Sequence, residues 1–278
     1  MNFQQKNVTM FHAAAGVIAV AALIGLGRSI LAPTTIASCT TRYPNATSFN
    51  LERNGTPLTA EDLLARLGSA GVGVLGNVEV MRPRDSRIPA AMKISLRPGH
   101  GAAADANAGV SFPWHPRSLQ NQRAACLSYY VFLFSEFDFQ NGGVLPGIEG
   151  HAPQGTDRFT AQIAWRQGGQ LAANVMTREN GEPTIVRYDA PGYTIPRGQW
   201  TKVDQEIVLN TPGKDDGALR VWLDNWLAIE KKDVSYREKS EVGLSGVAAN
   251  IFYGAPDAPI APSADAKVHL SPFEVSWN

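Results

Sequence analysis

Several titratable and charged side chains stand close to strand-like stretches in the middle of the sequence. His151 follows a glycine-rich segment, and Arg166 and Arg178 stand at the ends of two alternating runs. Histidine readily takes a proton near neutral pH, and an arginine can hold a carboxylate with parallel hydrogen bonds. His151 and Arg166 therefore form a candidate pair of catalytic base and carboxylate clamp. The alternative is that the arginines are surface charges and His151 is a loop residue.

The sequence lacks the motifs of several enzyme classes. It has no Gly-x-Ser-x-Gly nucleophile motif, no phosphate-binding glycine loop and no His/Cys cluster with zinc spacing. The adjacent acids in Lys214–Gly217 are ordinary turn residues rather than a calcium loop. We therefore predict neither a metal site nor a cofactor. His100 and His115 flank a glycine- and alanine-rich segment and are expected to be solvated loop residues.

The segment from Leu127 to Gly150 organises the chain. Within it, Tyr129–Phe139 is apolar on both strand faces and rich in aromatic residues, which predicts a central strand covered on both sides. Asn141–Gly143 is expected to end this strand, and Leu145–Gly147 to form a turn fixed by its proline. This strand and its neighbours must position the candidate pair His151 and Arg166.

Two alternating segments follow. Phe159–Arg166 places apolar side chains on one face and Thr160, Gln162 and Arg166 on the other. Leu171–Thr177 repeats the pattern, with Asn174 and Met176 on the polar face. The intervening Gln167–Gly169 predicts a hairpin turn.

The rest of the chain is also rich in strand patterns. Leu58–Leu67 predicts a short helix, because Thr59 is a suitable N-cap and Asp62 stands at capping-box distance. Strands are predicted at Val72–Val80, Ala91–Leu96, Trp200–Leu209, Ala218–Leu223, Trp226–Lys231 and Val268–Trp277. With one short helix near the N-terminus and strands thereafter, two antiparallel sheets in a jelly roll are the expected fold.

Residues 1–38 are interpreted as an export signal. Lys6 provides a positive start, Ala13–Leu26 is apolar, and Ala37 precedes Ser38 at a plausible cleavage site. The apolar run is short for a bilayer span and suits a signal peptide. An uncleaved anchor over Val8–Leu31 is the alternative. The expected location is therefore secreted or periplasmic, or membrane-anchored and facing the periplasm.

The chain contains two cysteines, Cys39 and Cys126. In an exported protein they can form one disulfide that ties the mature N-terminus to the central strand. Ile36–Cys39 also resembles a lipobox, which would make Cys39 a lipid attachment point. The apolar run ends well before it, and Arg28 and Pro33 intervene, so the disulfide is the favoured interpretation. Two unpaired thiols are the remaining alternative.

The charge balance excludes one class of partner. The formal net charge of the whole chain is zero, and loss of Lys6 and Arg28 with residues 1–38 would make it −2. Nucleic-acid binding needs an excess of lysine and arginine to offset phosphate charge, and no such excess is present. A membrane contact is expected only through an uncleaved N-terminal segment.

The central segment, read as FDF-x-x-GG-x-LPG, resembles the strand and turn signature of family-14 polysaccharide lyases, which include alginate and glucuronan lyases. The similarity continues through FTAQIAWR at 159–166, GQW at 198–200, NTPG at 210–213, GALRVWLD at 217–224 and FYG at 252–254. The resemblance implies a concanavalin-like β-jelly roll sandwich over residues 90–278. Residues 39–89 are then an N-terminal extension that packs on the sandwich.

The resemblance also assigns site positions. A uronate lyase needs groups that neutralise a carboxylate, take a proton and donate one. In the family these roles fall to a lysine in the GG-K-LPG turn, a Ser-x-Arg pair and a Tyr-x-Tyr pair. Here Val144 stands at the lysine position, Thr160 and Gln162 at the Ser-x-Arg positions, and Asn174 and Met176 at the tyrosine positions. None of these five side chains titrates near neutral pH.

Three functions remain open at this point. The favoured expectation is an exported polysaccharide-binding protein with reduced or lost lyase activity, with Thr160, Gln162, Asn174 and Arg178 contacting the sugar. The second is an active lyase that cleaves a uronate-containing glycan by β-elimination through substituted residues such as His151 and Arg166. The third is a structural or interaction protein of the cell envelope that retains only the fold.

Overall fold

Two large antiparallel sheets make up most of the protein. The computed structural model describes residues 36–101, 105–255, 258–259 and 262–278. In chain order the strands are β1 Asn45–Phe49, β2 Glu52–Arg53, β3 Thr56–Pro57, β4 Val78–Met81, β5 Ala91–Leu96, β6 Gly109–Trp114, β7 Ala124–Leu133, β8 Gly142–His151, β9 Arg158–Arg166, β10 Gln170–Glu179, β11 Glu182–Thr194, β12 Trp200–Val208, β13 Gly217–Leu223, β14 Trp226–Val234, β15 Gly243–Ala255, β16 Ala258–Pro259, β17 Ala266–Leu270 and β18 Phe273–Trp277. The α-helices are α1 Ala60–Leu67 and α2 Val74–Asn77.

The strand order separates the two sheets clearly. The first sheet runs β14-β13-β12-β7-β17-β5-β4, and β18 joins β7 to β1. The second sheet runs β11-β10-β9-β8-β15-β16, with β6 also paired to β15. The ladders between these strands are antiparallel. This is the all-β sandwich that the sequence predicts.

The core lies between the sheets, and the alternation in β9 and β10 is confirmed. Phe159, Ala161, Ile163 and Trp165 of β9, together with Leu171, Ala173 and Val175 of β10, belong to the main apolar cluster. The side chains between them point to the outer face of the second sheet. The predicted turn Gln167–Gly169 is confirmed as the connection between these two strands.

The central strand is β7, which begins and ends earlier in the chain than the predicted Tyr129–Phe139. It ends at Leu133 rather than Phe139, and the chain then turns, with Phe137 N donating to Phe134 O. Phe137 lies in this loop, and its buried ring stacks on Tyr253. The apolar run was therefore correct about the burial of Phe137 and wrong about the position of the strand. The outer side of β7 is only half covered, since Tyr130 and Phe132 are partly exposed.

The predicted turn at Leu145–Gly147 is wrong, because these residues lie inside β8. Pro146 cannot donate a ladder hydrogen bond, and the register between β8 and β9 shifts between Leu145 and Gly147. A side chain on Gly147 would place its Cβ 1.9 Å from Ala161 O, so only glycine allows this close approach. The glycine and the proline together make a bulge in the strand.

The first helix confirms its predicted N-terminus, whereas two other segments differ from the prediction. Thr59 Oγ1 accepts from Asp62 N, and the Asp62 carboxylate accepts from Thr59 N. The predicted strand Val72–Val80 is instead helix α2 followed by β4. The predicted strand Val268–Trp277 is split into β17 and β18 by a break around Ser271. β17 pairs with one part of β7, and β18 pairs with another part of the same strand.

The segment Ser38–Tyr43 lies on the outer face of the first sheet. Cys39 and Cys126 are joined by a disulfide with a Cα–Cα distance of 5.7 Å. Ser38 Oγ donates to Asp204 Oδ2 at 2.6 Å. The buried carboxylate of Glu206 pairs with Arg42 and Arg220 and accepts from the Tyr43 hydroxyl. Burial, with the nearby Glu206 carboxylate, raises the pKa of Tyr43.

The predicted export signal, residues 1–38, lies outside the described residues except for its last three positions. Within the part of the chain that the structure describes, no helix is long and apolar enough to cross a membrane. Residues 37–278 form one compact unit. In this unit β1 and β4 complete the first sheet.

Candidate functional site

The outer face of the second sheet carries polar side chains in register across three neighbouring strands. Arg187 of β11 is paired with Asn174 of β10, and Asn174 is paired with Gln162 of β9. We call these three residues the polar row. They lie on the face opposite the core because the alternate residues of β9 and β10 fill the main apolar cluster.

The polar row has one buried hydrogen-bonding group without a partner among the described residues. Arg187 Nε donates to Asn174 Oδ1 at 3.3 Å. Gln162 is only 3% exposed, and its Nε2 is buried with no hydrogen-bond partner among the described residues. Buried amide donors are nearly always satisfied. The Gln162 amide is therefore an unsatisfied donor at the centre of the polar row.

A second cluster lies beside the polar row. Glu149 of β8 is paired with Thr160 of β9, and its Oε1 lies 2.8 Å from His115 Nε2. The rings of His115 and His151 are 5.2 Å apart. We call His115, Glu149 and His151 the His–Glu cluster. It brings together two potential proton carriers and a carboxylate that can orient one of them.

The approach of His115 to this cluster depends on Gly246. A Cβ at Gly246 would lie 2.0 Å from Trp114 O and 2.9 Å from His115 Cδ2. Only a glycine on β15 therefore lets the end of β6 come close enough for His115 to reach Glu149.

Arginines flank the far end of this face. Arg158 is exposed and paired with both His151 and Arg178. Arg178, predicted to contact a sugar, donates from Nη1 to Gly181 O at 2.8 Å, so it braces the β10–β11 turn. Its Nε is buried without a partner among the described residues. Arg158 is thus the freer cation next to the His–Glu cluster.

The predicted pairing of His151 with Arg166 needs correction. His151 is paired with Arg158 at one end of β9, whereas Arg166 is paired with Gly142 at the other. Eight residues of extended chain separate the two positions by roughly 26 Å, at about 3.3 Å per residue. Arg166 instead lies 3.6 Å from Asp189. The two residues cannot act on one sugar ring.

The position that the sequence resemblance assigns to the turn lysine is fully buried. Val144 is 0% exposed and packs with Ala108 and Phe252 in a small apolar cluster, and it is paired with Ala164. A cation at this position would be buried among apolar side chains. The polar row contains no carboxylate, histidine, lysine or tyrosine that could act as a base.

Sequence reasoning missed Arg187 and the contact of His115 with Glu149. The His115 contact depends on strands that are separate in the chain, whereas Arg187 meets Asn174 through the tight β10–β11 hairpin. The Asn180–Gly181 pair is a sequence signal for that hairpin and could have located Arg187. The alternation of β9 and β10 did predict the face that Thr160, Gln162 and Asn174 share, and the structure places these three side chains on it. Among the described residues, no group of three His, Cys, Asp or Glu side chains is arranged to hold a metal ion.

The two packed antiparallel sheets define a β-jelly roll sandwich, and the comparisons specify the family. The profile described as polysaccharide lyase 14 matches residues 85–273. The chain belongs to the polysaccharide lyase 14 family. No related curated protein was found by sequence.

Solved structures share the fold at low sequence identity. The marine PL-14 alginate lyase from Aplysia kurodai is 17% identical with a TM-score of 0.67, over 85% of this chain and 99% of the other. The alginate lyase from Chlorella virus is 17% identical with a TM-score of 0.61, over 78% and 97%. The endo-β-1,4-glucuronan lyase from the fungus Trichoderma reesei is 15% identical with a TM-score of 0.56, over 85% and 96%.

Proposed function

We propose that the protein is an exported polysaccharide-binding protein that binds its ligand on the outer face of the second sheet, and that its elimination activity is lost. The observation that carries this proposal is the buried, unpartnered Nε2 of Gln162 at the centre of the polar row. A sugar hydroxyl or carboxylate oxygen can accept from it. Family membership supports a polysaccharide as the ligand.

Arg187 and Asn174 extend the binding surface. Arg187 is exposed, so its guanidinium can meet a uronate carboxylate while Nε stays bonded to Asn174. Amide groups on two adjacent strands then match hydroxyls along a sugar chain. Because amides bind in the ground state without moving a proton, such a surface favours affinity over catalysis.

Replacing Gln162 or Asn174 with alanine is expected to weaken polysaccharide binding by about 0.5–1.5 kcal/mol each, the contribution of one hydrogen bond. Isothermal titration calorimetry against acidic and neutral polysaccharides measures the change. The matched control is Gln199→Ala, an exposed glutamine in the loop before β12 of the first sheet. If both variants bind as tightly as the control, the ligand does not use the polar row.

A second candidate function, β-elimination, is favoured by the His–Glu cluster. A neutral histidine oriented by Glu149 can take a proton, and exposed Arg158 can neutralise a uronate carboxylate. In that case His115→Ala would abolish the formation of unsaturated products, whereas Gln162→Ala would mainly raise KM. These two results distinguish an active lyase from a binding protein, because a binding protein forms no unsaturated products at all.

Export is part of the proposal. Residues 1–38 have the pattern of a signal peptide, and a disulfide at Cys39 fits an oxidising compartment. Protein recovered from the periplasm or medium is expected to begin near Ser38 or Cys39, as N-terminal sequencing would measure. Full-length protein in the cytoplasm would contradict export, and an intact Met1 in the membrane fraction would support the anchor alternative.

A further inference from the structure

A pocket on the other sheet has no role in the proposed function. It has a volume of about 520 Å³ and is formed by β4, β5 and β17 of the first sheet, the loop after β7, residues 262–265 and Tyr253 of β15 in the second sheet. No residue of the polar row or the His–Glu cluster lines it. Its size falls within the range of roughly 300–1,000 Å³ that is typical of small-molecule sites. We call it the lateral pocket.

Aromatic rings form its walls. Phe137 and Tyr253 are nearly parallel, with centroids 5.7 Å apart. On the other side, Phe134 meets the ring of His269 edge to face at 4.9 Å. Phe134 is only partly buried, so it presents apolar surface to a ligand.

The polar groups of the pocket are mixed in charge. Glu136, Asp138 and Asp265 provide carboxylates, and Lys93 and Lys267 provide cations. Lys93 is already paired with Glu79 at 2.6 Å. The pocket therefore has no excess of positive charge, which makes it a poor site for a polyanion and distinguishes it from the polar row with Arg187.

His269 offers an unsatisfied hydrogen-bonding atom. Its Nε2 is buried without a partner among the described residues. Burial, with the nearby Lys93 ammonium, lowers the pKa of His269, so the ring is neutral at pH 7. A neutral imidazole nitrogen can donate to or accept from a hydroxyl, depending on the tautomer.

The pocket is held in place before a ligand arrives. The Tyr253 hydroxyl donates to Asp138 O at 2.6 Å, and Trp165 Nε1 donates to Phe139 O at 3.1 Å. Gln140 Nε2 donates to Ser263 Oγ at 3.0 Å, which ties the loop to the segment before β17. A wall that is already ordered costs little entropy when a ligand binds.

We propose that the lateral pocket is a second carbohydrate site that binds one or two uncharged pyranose units. A pyranose has an apolar C–H face, which packs on Phe134, and a rim of hydroxyls, which carboxylates and the His269 nitrogen can bind. The pocket is lined mainly by the first sheet and the loop after β7, and it shares no residue with the polar row. A protein with both sites can hold a neutral sugar, such as a chain end or side branch, while the polar row holds a different segment.

The test is calorimetric titration of the full-length protein with methyl glycosides of glucose, galactose and mannose, and with a uronate oligosaccharide as the charged comparison. At least one neutral glycoside is expected to bind. Phe134→Ala is expected to weaken that binding roughly ten-fold by removing the stacking face. Asp265→Ala, an exposed change that leaves the core intact, should weaken it about five-fold by removing a hydrogen bond to a hydroxyl.

Matched controls separate this site from the polar row. Trp226→Ala removes an aromatic ring that is 62% exposed on the same sheet but outside the pocket, and Asp215→Ala removes an exposed carboxylate elsewhere. Neither these controls nor Gln162→Ala should change glycoside binding. The proposal is overturned if no neutral glycoside binds, if Phe134→Ala and Asp265→Ala bind like the controls, if Gln162→Ala abolishes binding, or if the uronate is preferred at this pocket. These outcomes leave the proposed function of the polar row untouched.

Discussion

The double variant Cys39→Ala/Cys126→Ala is expected to lose roughly 3–5 kcal/mol of unfolding free energy, the value of a long closed loop in the chain-entropy model. The disulfide joins residues that are 87 apart in sequence. Without it, the unfolded chain gains many conformations, whereas the folded protein keeps the other contacts of the Ser38–Tyr43 segment. Urea unfolding followed by fluorescence measures the loss.

The reduced, unmodified protein is the control for this experiment. Both cysteines are fully buried, so alanine also removes packing atoms. If the reduced protein and the double variant have similar stabilities, the loss of unfolding free energy comes from breaking the disulfide rather than from removing packing atoms. A loss below about 1 kcal/mol in both samples would contradict the prediction, and two alkylatable thiols in the folded protein would exclude the bond itself.

Gln205→Leu is expected to lower the unfolding free energy by about 2–5 kcal/mol, since each buried polar group left without a partner costs about 1–3 kcal/mol. Gln205 of β12 is 0% exposed and reaches from the first sheet to the second. Its Oε1 accepts from Ile148 N at 2.9 Å, and its Nε2 donates to Ala161 O at 2.6 Å. Leucine satisfies neither backbone group.

The change should also affect the polar row. Gln205 supports the bulge next to Pro146, where Gly147 is paired with Gln162. We therefore expect Gln205→Leu to weaken polysaccharide binding as well as stability, both measured against Gln199→Leu as the surface control. A variant as stable as this control would show that the two backbone groups find other partners.

Local sequence patterns predicted the elements whose side chains alternate or whose caps are specific. The β9 and β10 alternation gave the correct faces, because one-sided burial leaves a period of two in the sequence. Thr59 and Asp62 marked the start of α1 for an equally local reason. Family motifs spread along the chain predicted the jelly roll, which the family profile and the solved structures confirm.

Long-range effects limited the remaining predictions. The apolar run through Phe139 indicated burial, but Phe137 is buried by a loop that folds onto Tyr253. The β8 bulge at Pro146 depends on Gln205, a residue of the opposite sheet. In the candidate site, His115 follows β6 and reaches Glu149 of β8 through the β15 strand between them, which no local pattern encodes. Arg187 is different, because the Asn180–Gly181 hairpin turn places it beside Asn174.

The most direct test of the central claim is ultraviolet absorbance of unsaturated sugar ends, recorded in a solution where calorimetry has shown the protein to be saturated with a polyuronate. The account predicts saturable binding that depends on Gln162 and Asn174, with no rise in absorbance above a protein-free control. A rise in absorbance that continues with time and disappears in His115→Ala would contradict it. In that case the His–Glu cluster is catalytic and the protein is a lyase.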